Sequence, residues 1–315
     1  MIDFRYHLIS LVAVLLALAI GIIVGSGFIG GPLLDRLERD VDNLSELNEE
    51  RLARISELES EVEEADAFGR VAGDHLLQGL LPGEQVVVFQ FGDSDGTLVD
   101  GVKEEIVDAG AEIATEITLS SKFELSTQPT ADELALALGS VETRVGALRN
   151  EAATKLGEHS AAAAARSEQG DTPSLAAIER LEALLDSLDR PEFIGVQAPD
   201  DDPVIPQDAS FVVIGGGDEP AAYEPTAFVL ALVESLSERG APTVVAESRD
   251  SVWGLVAAVR ANVAVRSAVS TIDNGDSTIG RIAAVLALAQ AQDGEVGHYG
   301  FGPGRSGPIP APNGS

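Results

Sequence analysis

Residues 8–29, LISLVAVLLALAIGIIVGSGFI, form an unbroken apolar run, and a seven-residue rhythm begins within five residues of its end. The run carries no charge and only Ser10 and Ser26 as hydroxyl residues. As a helix it would extend about 33 Å, enough to cross a hydrocarbon core of about 30 Å. A cleaved secretory signal has a shorter apolar region, about 7–15 residues, and closes on a small-x-small site that is not evident here. The pattern therefore predicts a retained transmembrane helix. Arg5 precedes it, whereas Asp35, Glu38, Asp40 and Asp42 follow. Positive-inside bias then places residues 1–7 in the cytoplasm and the bulk of the chain outside a plasma membrane.

The rhythm over 34–68 is heptad. Position a falls on Leu34, Val41, Asn48, Ile55 and Val62, and position d on Leu37, Leu44, Arg51, Leu58 and Ala65. β-Branched residues at a with Leu at d favour two parallel strands, the arrangement that two anchors in one membrane also require. The predicted stalk is a parallel homodimer with these ten residues as its seam. Asn48 is the kind of polar a residue that fixes register at a cost in stability. The alternative is one long helix packed on its own globular domain. Of the flanking pairs, Arg54 with Glu59 attracts, Glu61 with Asp66 repels, and Leu47 with Leu52 widens the apolar seam. Thirteen acids against four arginines over 35–66 leave a net −9, so a more basic helix could compete for the seam.

Beyond the stalk the pattern alternates between strands and helices. The apolar runs at 86–91, 112–119, 193–197, 211–217 and 243–248 predict strands. Helical periodicity covers 97–109, 131–150, 174–188, 224–239, 251–261 and 277–292. This alternation predicts an α/β domain over 84–292 with a mostly parallel sheet flanked by helices. The alanine-rich stretch 151–172 reads as a frayed helix entering a loop, where two α/β halves would divide. Residues 293–315, rich in Gly and Pro, read as a disordered or extended tail.

Composition narrows the chemistry. Among 315 residues, 52 acids against 20 bases give a net charge of −32, which argues against a nucleic-acid partner. Acid clusters of this kind ordinarily form a solvated face, although loose attraction of cations is a second reading. Cysteine is absent and Met1 is the only methionine, so disulfides, thiolate chemistry and soft copper(I) sites lack their ligands. His7, His75, His159 and His298 stand far apart. No metal site and no cofactor is predicted from these residues, and His298 reads as structural.

Two loops invite a catalytic reading. VVVFQFGDSDGTLVDG (86–101) resembles the nucleophile loop of haloacid-dehalogenase-type phosphatases, which would make Asp93 the nucleophile and Asp95 the proton donor around magnesium. Phosphoryl chemistry also needs a cation and further acids. Lys103 and Lys122 are the available cations, and Asp200, Asp201 and Asp202 sit between Pro199 and Pro203 as a turn. GGGDEP (215–220) lacks G-x-G-x-x-G spacing and puts Asp218 and Glu219 where a phosphate would lie, so it reads as a tight turn. No G-x-S-x-G is present for serine hydrolysis. The expectation is a protein that is not an enzyme.

The chain as a whole resembles the actinobacterial MctB family, the mycobacterial copper transport protein B group. The resemblance is carried in order by MIDFRYHLISLVAVLLALAIGIIVGSGF (1–28), ITLSSKF (117–123), LVESLSERGAPTVVAES (232–248), AVSTIDNGDSTIGRIAAVLAL (268–288) and GHYG (297–300). It implies an envelope protein that helps keep intracellular copper low, with copper as the metal in question. Corynebacterial relatives imply a different role, in cell separation, beside a membrane partner with a thiamine-pyrophosphokinase-like domain. The family's leucine-rich close is missing from this chain. A single span with two serines cannot form a pore by itself, so the residues favour a scaffold or regulator over a conduit.

Overall fold

The computed structural model describes residues 4–165, 175–198 and 204–311, apart from the side chains of 26–35 and of Asp74. The chain divides into two units, Met1–Ala65 and Asp66–Ser315. One helix, α1 (Phe4–Leu77), begins in the first and ends in the second. Its segment Phe4–Gly25 has a mean hydropathy of 3.0, and none of it is buried within the chain. The span is therefore long and apolar enough to cross a membrane. Further along α1, Leu37, Val41, Leu44, Ile55, Leu58 and Val62 are all about half exposed or more. Asn48, Arg51 and Ala65 are exposed as well, while the side chain of Leu34 lies outside the described residues.

The end of α1 belongs to the second unit and is held there by glycine. A Cβ on Gly69 would stand 3.3 Å from Thr278 Cγ2, and one on Gly73 would stand 2.7 Å from Ile282 Cδ1. Gly69, Gly73 and fully buried Leu77 recur every fourth residue, so they share one helix face. Gly69 is also the next a position of the heptad. That face is already covered at Gly69, so a seam open to a partner would end at Ala65.

The second unit is built on one seven-stranded sheet. In chain order its elements are β1 (Gln85–Phe91), α2 (Gly96–Asp108), β2 (Glu112–Leu119), α3 (Gln128–Leu138), α4 (Val145–Ala163), α5 (Leu175–Asp189), β3 (Ile194–Gln197), β4 (Ser210–Ile214), α6 (Pro225–Ser237), β5 (Thr243–Ala246), α7 (Leu255–Ala261), β6 (Ser270–Ile272), α8 (Thr278–Gln292) and β7 (His298–Tyr299). The strand order is β3-β2-β1-β4-β5-β6-β7, and every pairing is parallel except β2 with β3. Strands β4 and β5 are apolar without alternation because helices cover both faces of the sheet. Val86 and Val88 pack with α2, α8 and the end of α1. Val87, Phe89 and Phe91 face the opposite layer, which is formed by α3 to α7.

Three local expectations change. The helix expected over 131–150 is two helices, α3 and α4, because Gly139 takes a left-handed φ of 61° and ends the first. The alanine stretch is not frayed up to Ala163. It is the buried face of α4, where Ala152, Ala153, Leu156 and Gly157 let α6 approach closely. A Cβ on Gly157 would lie 2.5 Å from the Leu232 carbonyl oxygen. Strands from both sides of this stretch join the same sheet, and the loop at 166–174 lies outside the described residues. Of the two readings of the tail, disorder fails over 298–311, and the extended one holds where the chain forms a strand. His298 and Tyr299 form edge strand β7 beside β6, and Gln290 Nε2 donates to the Ala311 carbonyl at 3.0 Å.

Candidate functional site

The chain leaves β1 toward β2 on one side, and β4 later takes the place on β1's other side. In open α/β sheets the crevice beyond the strand ends at such a reversal is where ligands bind. Both loops singled out in the sequence converge there. The loop after β1 is held by short local bonds. Asp95 Oδ1 accepts from Thr97 N at 2.9 Å and caps α2, and Asp95 N donates to the Gly216 carbonyl at 2.9 Å. Asp93 Oδ2 accepts from Ala222 N at 3.0 Å, tying this loop to the one after β4.

The glycines after β4 serve close approach. A Cβ on Gly215 would stand 2.7 Å from Leu255 Cδ1 and 2.9 Å from Phe91 Cδ2. Gly216 has φ of 146°, and a Cβ there would meet Ser248 Oγ at 2.8 Å. The GGG run thus threads the chain between β1 and α7, a packing role that accounts for it without a bound phosphate.

These loops surround a cavity of about 600 Å³. Asp93 and Asp95 line it from β1, Asp218 and Glu219 from β4, Asp250 and Trp253 from β5, and Asp276 from the loop before α8. Among the described residues no Lys, Arg or His lines it. Trp253 is fixed by its indole N–H, which donates to the Glu219 carbonyl at 2.7 Å, and by edge contact with Phe91 at 5.5 Å between centroids. Arg249 is adjacent in sequence, but its guanidinium lies over the Phe301 ring at 5.0 Å while its amide donates to Asp276 at 2.7 Å.

This geometry bears directly on the phosphatase reading. Lys103 is paired with Glu116 at 2.9 Å, and Lys122 with Glu133 at 2.8 Å. Neither lines the cavity that holds Asp93 and Asp95. The triple aspartate at 200–202 lies outside the described residues. Among the described residues no three His, Asp or Glu side chains are grouped so as to hold a metal ion. His7 and His75 are exposed on α1. Burial and the nearby arginines push His159 and His298 below the ordinary imidazole value, so these two are held neutral, apart from each other.

Sequence reasoning found the loops after β1 and β4 but missed Asp250, Trp253 and Asp276. Their signal was an acid within a few residues of each strand end, and β6, only three residues long, went unread as a strand.

A single apolar span and an α/β unit with an acid-lined crevice at its strand ends define the class of protein. The chain belongs to the family described as copper transport outer membrane protein, MctB, whose family model matches residues 1–310. A relative named Copper transporter MctB from Mycobacterium bovis is 29% identical over 320 residues, covering 96% of this chain and 98% of the relative. Another of the same name from Mycobacterium leprae is 29% identical over 321 residues with the same coverage.

Proposed function

We propose that this chain is a copper-related envelope protein that acts as a membrane-anchored, non-enzymatic scaffold or regulator. Its span sits in the plasma membrane with the N-terminus cytoplasmic and the α/β unit outside. The copper connection comes from the relatives' name. The scaffold reading rests on one observation, the apolar stripe at Leu37, Val41, Leu44, Ile55, Leu58 and Val62 that the chain leaves uncovered. Such a stripe at heptad spacing is stabilised by another helix in a parallel pair. Copper is then influenced through a partner, because one span cannot enclose a pore and the described residues offer copper no grouped ligands.

Light scattering of fragment 32–315 tests the dimer, and a strict monomer at tens of micromolar would remove it. Calorimetry with copper(I) and copper(II) tests the partner route. Sub-micromolar binding would return the protein to direct copper handling.

A second reading is an adaptor in cell separation, working beside a membrane partner with a thiamine-pyrophosphokinase-like domain. It is favoured by the net −9 of residues 35–66 and by exposed Leu47 and Leu52, which suit a partner helix with basic flanks. Pull-down from native membranes separates the two readings by what is captured.

A further inference from the structure

The segment from His298 to Ala311 is held by a dense set of polar contacts that neither the anchor, the stalk nor the crevice needs. Arg260 of α7, 7% exposed, is their hub. Its Nη1 donates to Asp273 Oδ2 at 2.5 Å and to the Pro303 carbonyl at 3.2 Å, and its Nη2 donates to the Tyr299 carbonyl at 2.7 Å. Asp273 in turn accepts from Phe301 N at 2.7 Å and Gly302 N at 2.8 Å.

The Nε–H of Arg260 reaches the histidine through a hydroxyl. Arg260 Nε–H donates to Thr271 Oγ1 at 2.9 Å, and the same hydroxyl lies 3.0 Å from His298 Nδ1. Oγ1 accepts from the guanidinium and keeps its own proton, which it can give to Nδ1 of the neutral ring. The ring also hydrogen-bonds the backbone of Arg266. The neutral ring therefore has partners in Thr271 and the Arg266 backbone. A second proton on the ring would set a buried cation against the guanidinium. The charged groups acting on the ring are Arg260 from α7 and Arg266 from the following loop, both positive. Thr271 of β6 and Ser306, which accepts from His298 N at 3.3 Å, are neutral. Asp273, the nearby acid, is occupied by Arg260 and the tail amides.

We infer that residues 298–311 form an acid-releasable strap, in which a second proton on the buried His298 ring sets a cation beside the Arg260 guanidinium and detaches β7 from β6. Release would leave the outer edge of β6, Ser270–Ile272, without its strand partner.

The sign follows from burial. Desolvation, then Arg260, hold the folded ring below its ordinary value of 6.5. Attachment is therefore unaffected above that value. It weakens as pH falls below it, because the released form binds the proton first. Each pH unit below about 6.5 should raise the opening constant about tenfold until the folded ring itself titrates.

The test is peptide-resolved hydrogen exchange on the full chain in detergent micelles, between about pH 7.5 and pH 5, corrected for intrinsic rates. Peptides covering 268–276 and 296–311 should lose protection together as pH falls. His298→Gln should abolish that dependence. Arg266→Gln keeps the backbone acceptor and removes an exposed positive charge that holds the folded ring down, so it should leave the onset in place and lessen the loss of protection at pH 5. Wild-type protection that is flat to pH 5, or an equal loss in His298→Gln, would overturn the strap. If His298→Gln has already lost the strap near neutral pH, the Arg266→Gln profile decides alone, and a loss at pH 5 equal to or greater than that of the wild type is a refutation.

Discussion

Arg260 reaches Asp273 at 2.5 Å with only 6% and 15% of the two side chains exposed, and this pair joins α7, the end of β6 and the tail. Removing one member of a buried pair leaves an uncompensated charge, at a cost of about 3–5 kcal/mol. Arg260→Ala should therefore lower the denaturant midpoint of the α/β unit and expose the tail to protease at neutral pH. A midpoint within error of wild type would mean that the pair is solvated in solution.

The close approach of α4 and α6 depends on Gly157. Alanine there gains about 1 kcal/mol of helix propensity, but its Cβ would lie 2.5 Å from the Leu232 carbonyl oxygen and 2.7 Å from Ser235 Cβ. Backbone cannot turn aside as a side chain can, and overpacking typically costs about 1–3 kcal/mol. Gly157→Ala should thus lower Tm. Gly146 in the same helix has nothing within 4 Å of its Cβ position, so Gly146→Ala is the control and should leave Tm unchanged or raise it.

Asp95 has a structural role that can be separated from catalysis. As the cap of α2 it should contribute about 1 kcal/mol, most of which Asn or Ser retains. Asp95→Ala should lower Tm slightly, with Asp95→Asn close to wild type. If Asp95→Asn instead abolished a magnesium-dependent phosphatase activity present in the wild type, the non-enzymatic reading would fall.

For the stalk, Asn48→Ile should tighten association and loosen register, because a polar a residue trades stability for pairing specificity. Thermal melting of fragment 32–315, followed by circular dichroism over a range of concentrations, reads both. An unchanged melting temperature would place Asn48 outside any seam. Charge reversal of Glu49, Glu50, Glu57 and Glu61 to Lys should weaken capture of a basic partner helix while the α/β unit stays folded. Capture at wild-type strength would move the binding site off the stalk.

Local pattern was enough for much of the architecture. The apolar run and the heptads are readable because helix periodicity is written in consecutive residues. Buried parallel strands such as 86–91 and 211–214 announce themselves as continuous apolar runs. The DSDGT and GGGDEP loops stood out because Gly and Asp mark the points where strands end. Tertiary structure decided what local pattern cannot encode. Whether the alanines of 151–163 fray or pack depended on α6 lying close enough to need them small. β6 and β7 are too short to carry a periodic signal and exist as strands only because β5 and Arg260 hold them in register. The crevice gathers Asp93, Asp218, Asp250 and Asp276 from sites spread over more than half the chain, since parallel crossovers return every strand end to the same edge of the sheet. His298, one histidine among four in the sequence, became a buried ring beside Thr271 and Arg260 only through folding.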